Sequence, residues 1–217
     1  MARLEGRRDP VGMPTRTARV VVEAHDPSAL ARYWSEALDW AVTPERSDGV
    51  TVSPPADDPG QAGQLPLTFV PANGTKATKN RIHLDLASRS DEHQAALVAR
   101  LEALGARRIE IGQGAVTWVV MADPEGNEFC VVSHRGSVGK DPASAFGDLT
   151  PVAAIVFDCA DPEAIAPFWA DALDWPALGQ DDEGMWLRDV TSNGPYLDLH
   201  RVGEPDDPSL RVRLDVV

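Results

Sequence analysis

ARYWSEALDW at residues 31–40 returns as APFWADALDW at residues 166–175, so that Ala31, Trp34, Ala37, Leu38, Asp39 and Trp40 recur as Ala166, Trp169, Ala172, Leu173, Asp174 and Trp175. Each copy follows an Asp-Pro pair, Asp26-Pro27 or Asp161-Pro162. Aspartate is a strong helix N-cap, and proline suits the first helical position, where its missing N–H costs nothing. Leu30, Ala31, Trp34, Ala37 and Leu38 fall at helical spacing, and Ile165, Ala166, Trp169, Ala172 and Leu173 fall in the same way, giving two helices with one apolar stripe each.

Strand signals surround both helices. TARVVVE (17–23) is β-branched, and short strand candidates follow the first helix at 40–44, 49–53 and 66–71, separated by Pro, Asp and Gly clusters. The order strand, helix, three strands then repeats with other residues. RIHLDLA (81–87) alternates, Ser90 or Asp91 can cap a helix carrying Leu97, Leu101 and Leu104, and Gly105 suits a left-handed helix end. Strand candidates at 107–111, 115–121 and 127–133 complete this second unit, with the turn Asp123-Pro-Glu-Gly-Asn127 between the last two. A third unit opens with a strand at 151–158 and closes with strands near 176–180, 185–189 and 195–201. SLRVRLDVV (209–217) then matches NRIHLDLA, the strand that opens the second unit.

The chain is 217 residues long, 43% apolar and 25% charged, which describes a globular protein with room for one large or two small domains. Its net charge of −14 repels polyphosphates, so nucleic acid is not an expected partner. No apolar run approaches the ~20 residues that span a bilayer, and MARLEGRRDPVGMPTR carries no apolar signal core, so no membrane association and a cytoplasmic location are expected. Cys130 and Cys159 are too few for a disulfide framework or a four-thiolate metal site.

The tandem βαβββ units, the HLDL strand, the ALDW helix ends and MADPEGNEFCVV together resemble the glyoxalase / bleomycin-resistance / dihydroxybiphenyl dioxygenase (vicinal oxygen chelate) superfamily, in its bacterial glyoxalase-like branch. The resemblance spans roughly residues 17–217 and implies an α+β fold in which two modules pair into one cup-shaped sheet around a small-molecule site. The expected organisation is a disordered tail (1–15), a complete two-module domain (16–134), a linker (135–149) and a partial second domain (150–217) holding one module and one strand. A third, incompletely paired module would leave a sheet face uncovered. A homodimer seated on that module, with SLRVRLDVV pairing across or beside it, is therefore expected.

In enzymes of the superfamily a divalent metal, held by His, Gln or Glu on the first and last strands of each module, stabilises an oxyanion or enediolate. The matching positions here are Arg19 (Val21 if the register slips), Val70, His83 and Cys130, leaving His83 as the one strong ligand; in the third module and the strand after it they are Ala154, His200 and Arg213. No metal or other cofactor is expected on that basis. His83 has three readings: a metal ligand, a pocket histidine that hydrogen-bonds a small molecule beside Arg19, or a strand histidine paired with Asp85. Trp118 either floors the cup or packs in the core. Arg19, Val70, His83, Trp118 and Cys130 form the expected ligand-binding set of a metal-independent protein holding a metabolite or drug-like molecule in the cup of residues 17–133. The alternative is a lyase, isomerase or dioxygenase with a non-standard metal set.

Overall fold

In the computed structural model, which describes residues 18–43, 49–72, 74, 76–133, 151–190, 194–203 and 211–216, the two repeated helices use the same devices at both ends. Asp26 caps α1 (Pro27–Leu38) by accepting the Ala29 N–H at 2.9 Å, and Asp161 caps α3 (Pro162–Leu173) by accepting the Ala164 N–H at 3.0 Å. Both helices stop at an aspartate in the left-handed region, Asp39 at φ 58° and Asp174 at φ 57°, after which the amides of Trp40 and Trp175 return to the carbonyls of Ser35 and Ala170. The second helix, α2 (Asp91–Ala103), is capped by Ser90. The expected tail and linker lie outside the described residues.

The strands follow the expected order. The first module holds β1 (Ala18–Ala24), α1, β2 (Ala41–Val42), β3 (Val50–Ser53) and β4 (Leu67–Pro71). The second holds β5 (Ile82–Leu86), α2, β6 (Arg107–Arg108), β7 (Val119–Ala122) and β8 (Glu128–Val131); the third holds β9 (Val152–Cys159), α3, β10 (Ala177–Asp181), β11 (Gly184–Leu187) and β12 (Tyr196–Arg201). A last strand, β13 (Val212–Val216), follows. The fold class read from the sequence, α+β with tandem βαβββ modules, is the observed one.

The module partnership differs from expectation. The complete paired-module sheet has the order β10-β11-β12-β9-β5-β8-β7-β6 and joins the second and third modules, not the first and second. The first module forms a separate sheet, β13-β1-β4-β3-β2, in which Val212–Val216 pairs with β1 of its own chain. The reason for placing a dimer contact on the third module is thereby removed. Sequence alternation marks which face of a strand is apolar but not which module's strand lies beside it. Among the described residues, no helix is long and apolar enough to cross a membrane.

The first module still packs on the second, through helix and turn. Asp123, 1% exposed, accepts the amides of Glu125 and Asn127 on Oδ1, and on Oδ2 accepts Asn127 Nδ2 and the indole N–H of Trp34 at 3.3 Å. Trp34 also meets Phe129 edge-on at 5.2 Å. Glu125, from the same turn, accepts the backbone amides of His25 and Asp26 at 2.7 and 2.9 Å and faces Arg211 at 3.4 Å. α3 has no such neighbour among the described residues: Phe168 is 65% exposed where the equivalent Tyr33 is 6% exposed. Trp34→Phe should therefore cost about 1–3 kcal/mol by removing one of the four hydrogen bonds to a buried carboxylate, whereas Trp169→Phe should cost less than about 1 kcal/mol. Urea melts of the two variants check the contrast.

Candidate functional site

Alternation along the strands sorts the eight-stranded sheet into two faces. Ile82, Leu84 and Leu86 of β5, Phe129 and Val131 of β8, Ile155 of β9, and Leu197 and Leu199 of β12 join the helices in the main core. Val120, Cys130, Val132 and Ala153, with Trp118, form a separate cluster on the other face, and Ala154, Val156, Tyr196 and Trp186 form another beside it. Period-two geometry puts His83, Asp85, Asp158, Asp198 and His200 on this helix-free face as well. Pairing fixes their neighbours: one row runs Tyr196, Ala154, Asp85, Cys130, Val120, and the next runs Trp186, Asp198, Val156, His83. The register shifts between Asp85 and Leu86, leaving Ala153 as an extra residue on β9, so two successive alanines lie at the seam.

Burial governs the electrostatics here. His83 is pushed down to about 4 by loss of water, helped by Lys79 and His200, so its imidazole is neutral at physiological pH. Asp85 is pushed up to about 7 by burial, against a lowering hydrogen bond from the Cys130 thiol. That thiol is itself pushed up by burial and then by the Asp85 charge. Asp198 is pushed up to about 7 by burial, with Asp85, Asp181, Asp158 and Glu183 adding to it. Lys79 pairs with Asp158 at 2.5 Å and Lys76 with Glu128 at 2.5 Å. Of the buried side-chain atoms without a hydrogen-bond partner, three lie on this face: His83 Nδ1, Asp85 Oδ1 and Asp158 Oδ1. His83 Nε2 lies 3.8 Å from Asp85 Oδ1, too far for a hydrogen bond.

Of the five expected site residues, His83, Trp118 and Cys130 share this face, Trp118 immediately before β7 and not inside the expected strand. Arg19 and Val70 do not join them; they belong to β1 and β4 of the five-stranded sheet, where Arg19 pairs with Asp215 at 3.5 Å. Asp198 and Trp186 were absent from the expected set. The LDL of YLDLHR, which repeats the LDL of RIHLDL, is the sequence signal that could have pointed to Asp198. His83, Asp85 and Cys130 offer a nitrogen, an oxygen and a sulfur donor within 4.8 Å of one another. Those elements suit zinc. Two of the three are already engaged, the thiol with the carboxylate, and the β9 residues directly facing Asp85 and His83 are Ala154 and Val156, which are not ligands.

The sequence model of the glyoxalase-like domain family matches residues 19–132 and 154–217. The chain belongs to the glyoxalase-like domain family. This places it in the vicinal oxygen chelate superfamily, and solved structures carry the same fold. The chain is similar to glyoxalase I from Zea mays, with a TM-score of 0.57 and 13% identity over 86% of this chain and 69% of that one. It is also similar to a putative dioxygenase from Bacillus subtilis subsp. subtilis str. 168, with a TM-score of 0.53 and 15% identity over 85% of this chain and 63% of that one. No curated protein matches by sequence.

The raised Asp198 carboxyl gives this glyoxalase-like protein a pH signature. A carboxyl whose folded pKa exceeds its ordinary 3.8 binds its proton more tightly in the native state, so its contribution is full below 3.8 and lost as pH rises through about 7. Asp198→Asn imitates the protonated acid. It should melt with the wild type in acid and above it beyond neutrality, the gap opening between those two values. Thermal melts across pH check this, and parallel curves would refute it.

Proposed function

We propose that this glyoxalase-like protein binds a small molecule on the helix-free face of its eight-stranded sheet, between Trp118 and Trp186, without a divalent metal. The observation that carries the reading is the group of unmet polar atoms on one buried face: His83 Nδ1, Asp85 Oδ1 and Asp158 Oδ1. Buried polar groups without partners are costly and need a reason to persist. A ligand supplies it. The pocket proposed from the sequence thus moves from residues 17–133 to the seam of the second and third modules, keeping His83, Trp118 and Cys130 and gaining Asp85, Asp198 and Trp186. Small aromatic and aliphatic side chains with a few polar groups are the ordinary make-up of such sites.

The enzymatic alternative, a lyase, isomerase or dioxygenase with an unusual metal set, is favoured by one observation, the three donors within 4.8 Å. Against it stand the pairing of the Cys130 thiol with the Asp85 carboxylate and the alanine and valine of β9 that face Asp85 and His83. A cytoplasmic setting accords with two cysteines that are both free and buried. Self-association, if it uses an unpaired module, would run through the five-stranded sheet, and sedimentation at micromolar concentration reads it directly.

Elemental analysis of protein purified without chelator should find no stoichiometric transition metal. An aromatic ligand found by thermal-shift screening should quench tryptophan emission, and Trp186→Phe should remove most of the change while Trp34→Phe leaves it. One equivalent of zinc, iron, manganese or nickel that disappears in His83→Ala would overturn the metal-free reading and favour the enzyme.

A further inference from the structure

The two sheets are built on one lattice, and they differ at one pair of positions in a way that identifies a missing charge. Along the β1/β13 seam Arg19 faces Asp215, Val20 faces Leu214 and Val21 faces Arg213. Along the β9/β5 seam Ala154 faces Asp85, Ile155 faces Leu84 and Val156 faces His83. The helix repeat gives the same correspondence, since Ala154 stands as far before Asp161 as Arg19 stands before Asp26. Asp215 and Asp85 are therefore equivalent aspartates in equivalent places.

Their surroundings are opposite. Asp215 is held by two guanidinium groups, Arg19 at 3.5 Å and Arg213 at 3.1 Å. At Asp85 the first arginine is replaced by Ala154 and the second by His83, whose imidazole is neutral. The Asp85 side chain is only 9% exposed, and its Oδ1 has no partner. One row along, Asp198 of β12 faces Val156 and stands where the five-stranded sheet has Thr68. The cations near this face are committed elsewhere: Lys79 to Asp158, Lys76 to Glu128, and Arg188 to the Gly194 carbonyl and the Tyr196 hydroxyl. Among the described residues, no lysine or arginine forms an ion pair with Asp85 or Asp198.

We infer that this face binds an organic cation, an amidinium, guanidinium or ammonium group on a small molecule, whose head lies between Asp85 and Asp198. The inference rests on the proposed ligand site and names its ligand class. Asp85 on one side and Asp198 on the other take the N–H donors in charge-assisted hydrogen bonds. Trp186, packed against Ala154, Val156 and Tyr196, offers an aromatic surface to the ligand body or to the cation itself. A buried carboxylate binds strongly only when its partner completes the charge pair, so a ligand lacking the charge forfeits most of the affinity.

Benzamidine, benzamide and benzoate have the same ring and differ in the charge of the head, which makes them suitable probes of the intact protein by calorimetry and tryptophan emission. Benzamidine should bind at least about tenfold more tightly than benzamide, and benzoate should not bind. Asp85→Asn should remove that preference. Asp198→Asn should weaken benzamidine binding while raising the melting temperature above neutral pH, and so separates a lost carboxylate from a misfolded protein. Equal binding of benzamide or benzoate, with Trp186 quenched, would keep the pocket and overturn the cation. Failure of all three probes overturns the cation as well. Zinc or manganese bound in competition with benzamidine and lost in Cys130→Ser would overturn both the cation and the metal-free reading.

Discussion

Backbone pairing of β5 with β9, from Ile82 beside Phe157 to Leu86 beside Val152, decides which modules share a sheet face. It sets His83 and Asp85 against Val156 and Ala154, and the irregularity at Leu86 brings two small residues to the same place. The polar side chains flank a strip of small apolar ones, so the face carries its charge at its sides. Had β5 paired with β1 instead, Asp85 would have met an arginine and no unmet carboxylate would remain.

The first module is held by other means. Its helix α1 lies on the Asp-Pro-Glu-Gly-Asn turn of the second module, where Asp123 collects four donors and Glu125 collects two backbone amides. Gln64 adds a two-way link to the backbone of Val152 on β9, at 3.1 and 3.2 Å. Side-chain hydrogen bonds thus join the first module to both others, while sheet pairing joins the second to the third. One turn serves as hairpin, helix cap and module contact at once.

Much of this was legible in the residues because it is local. Asp-Pro before α1 and α3, the apolar stripe through Trp34 and Trp169, and the glycine and proline punctuation mark the element order. The strand expected at 115–121 starts only at Val119, and that expected at 107–111 is a two-residue bridge. Gly112 and Gly114, both at positive φ, interrupt the alternation between them. Module pairing was not legible, since β1, β5, β9 and β13 carry the same alternating pattern and any two could satisfy it. For that reason the pattern alone sets Arg19 beside His83, while Asp198 matters only because β12 lies beside β9.

Cross-strand nuclear Overhauser contacts between backbone protons in the labelled full-length protein test the partnership directly. Contacts between Leu84 and Ile155 and between Val20 and Leu214 are expected, with none between β1 and β5. Contacts joining Val20 to Leu84 would show that the first and second modules share one sheet, and the account of the site would fall with them.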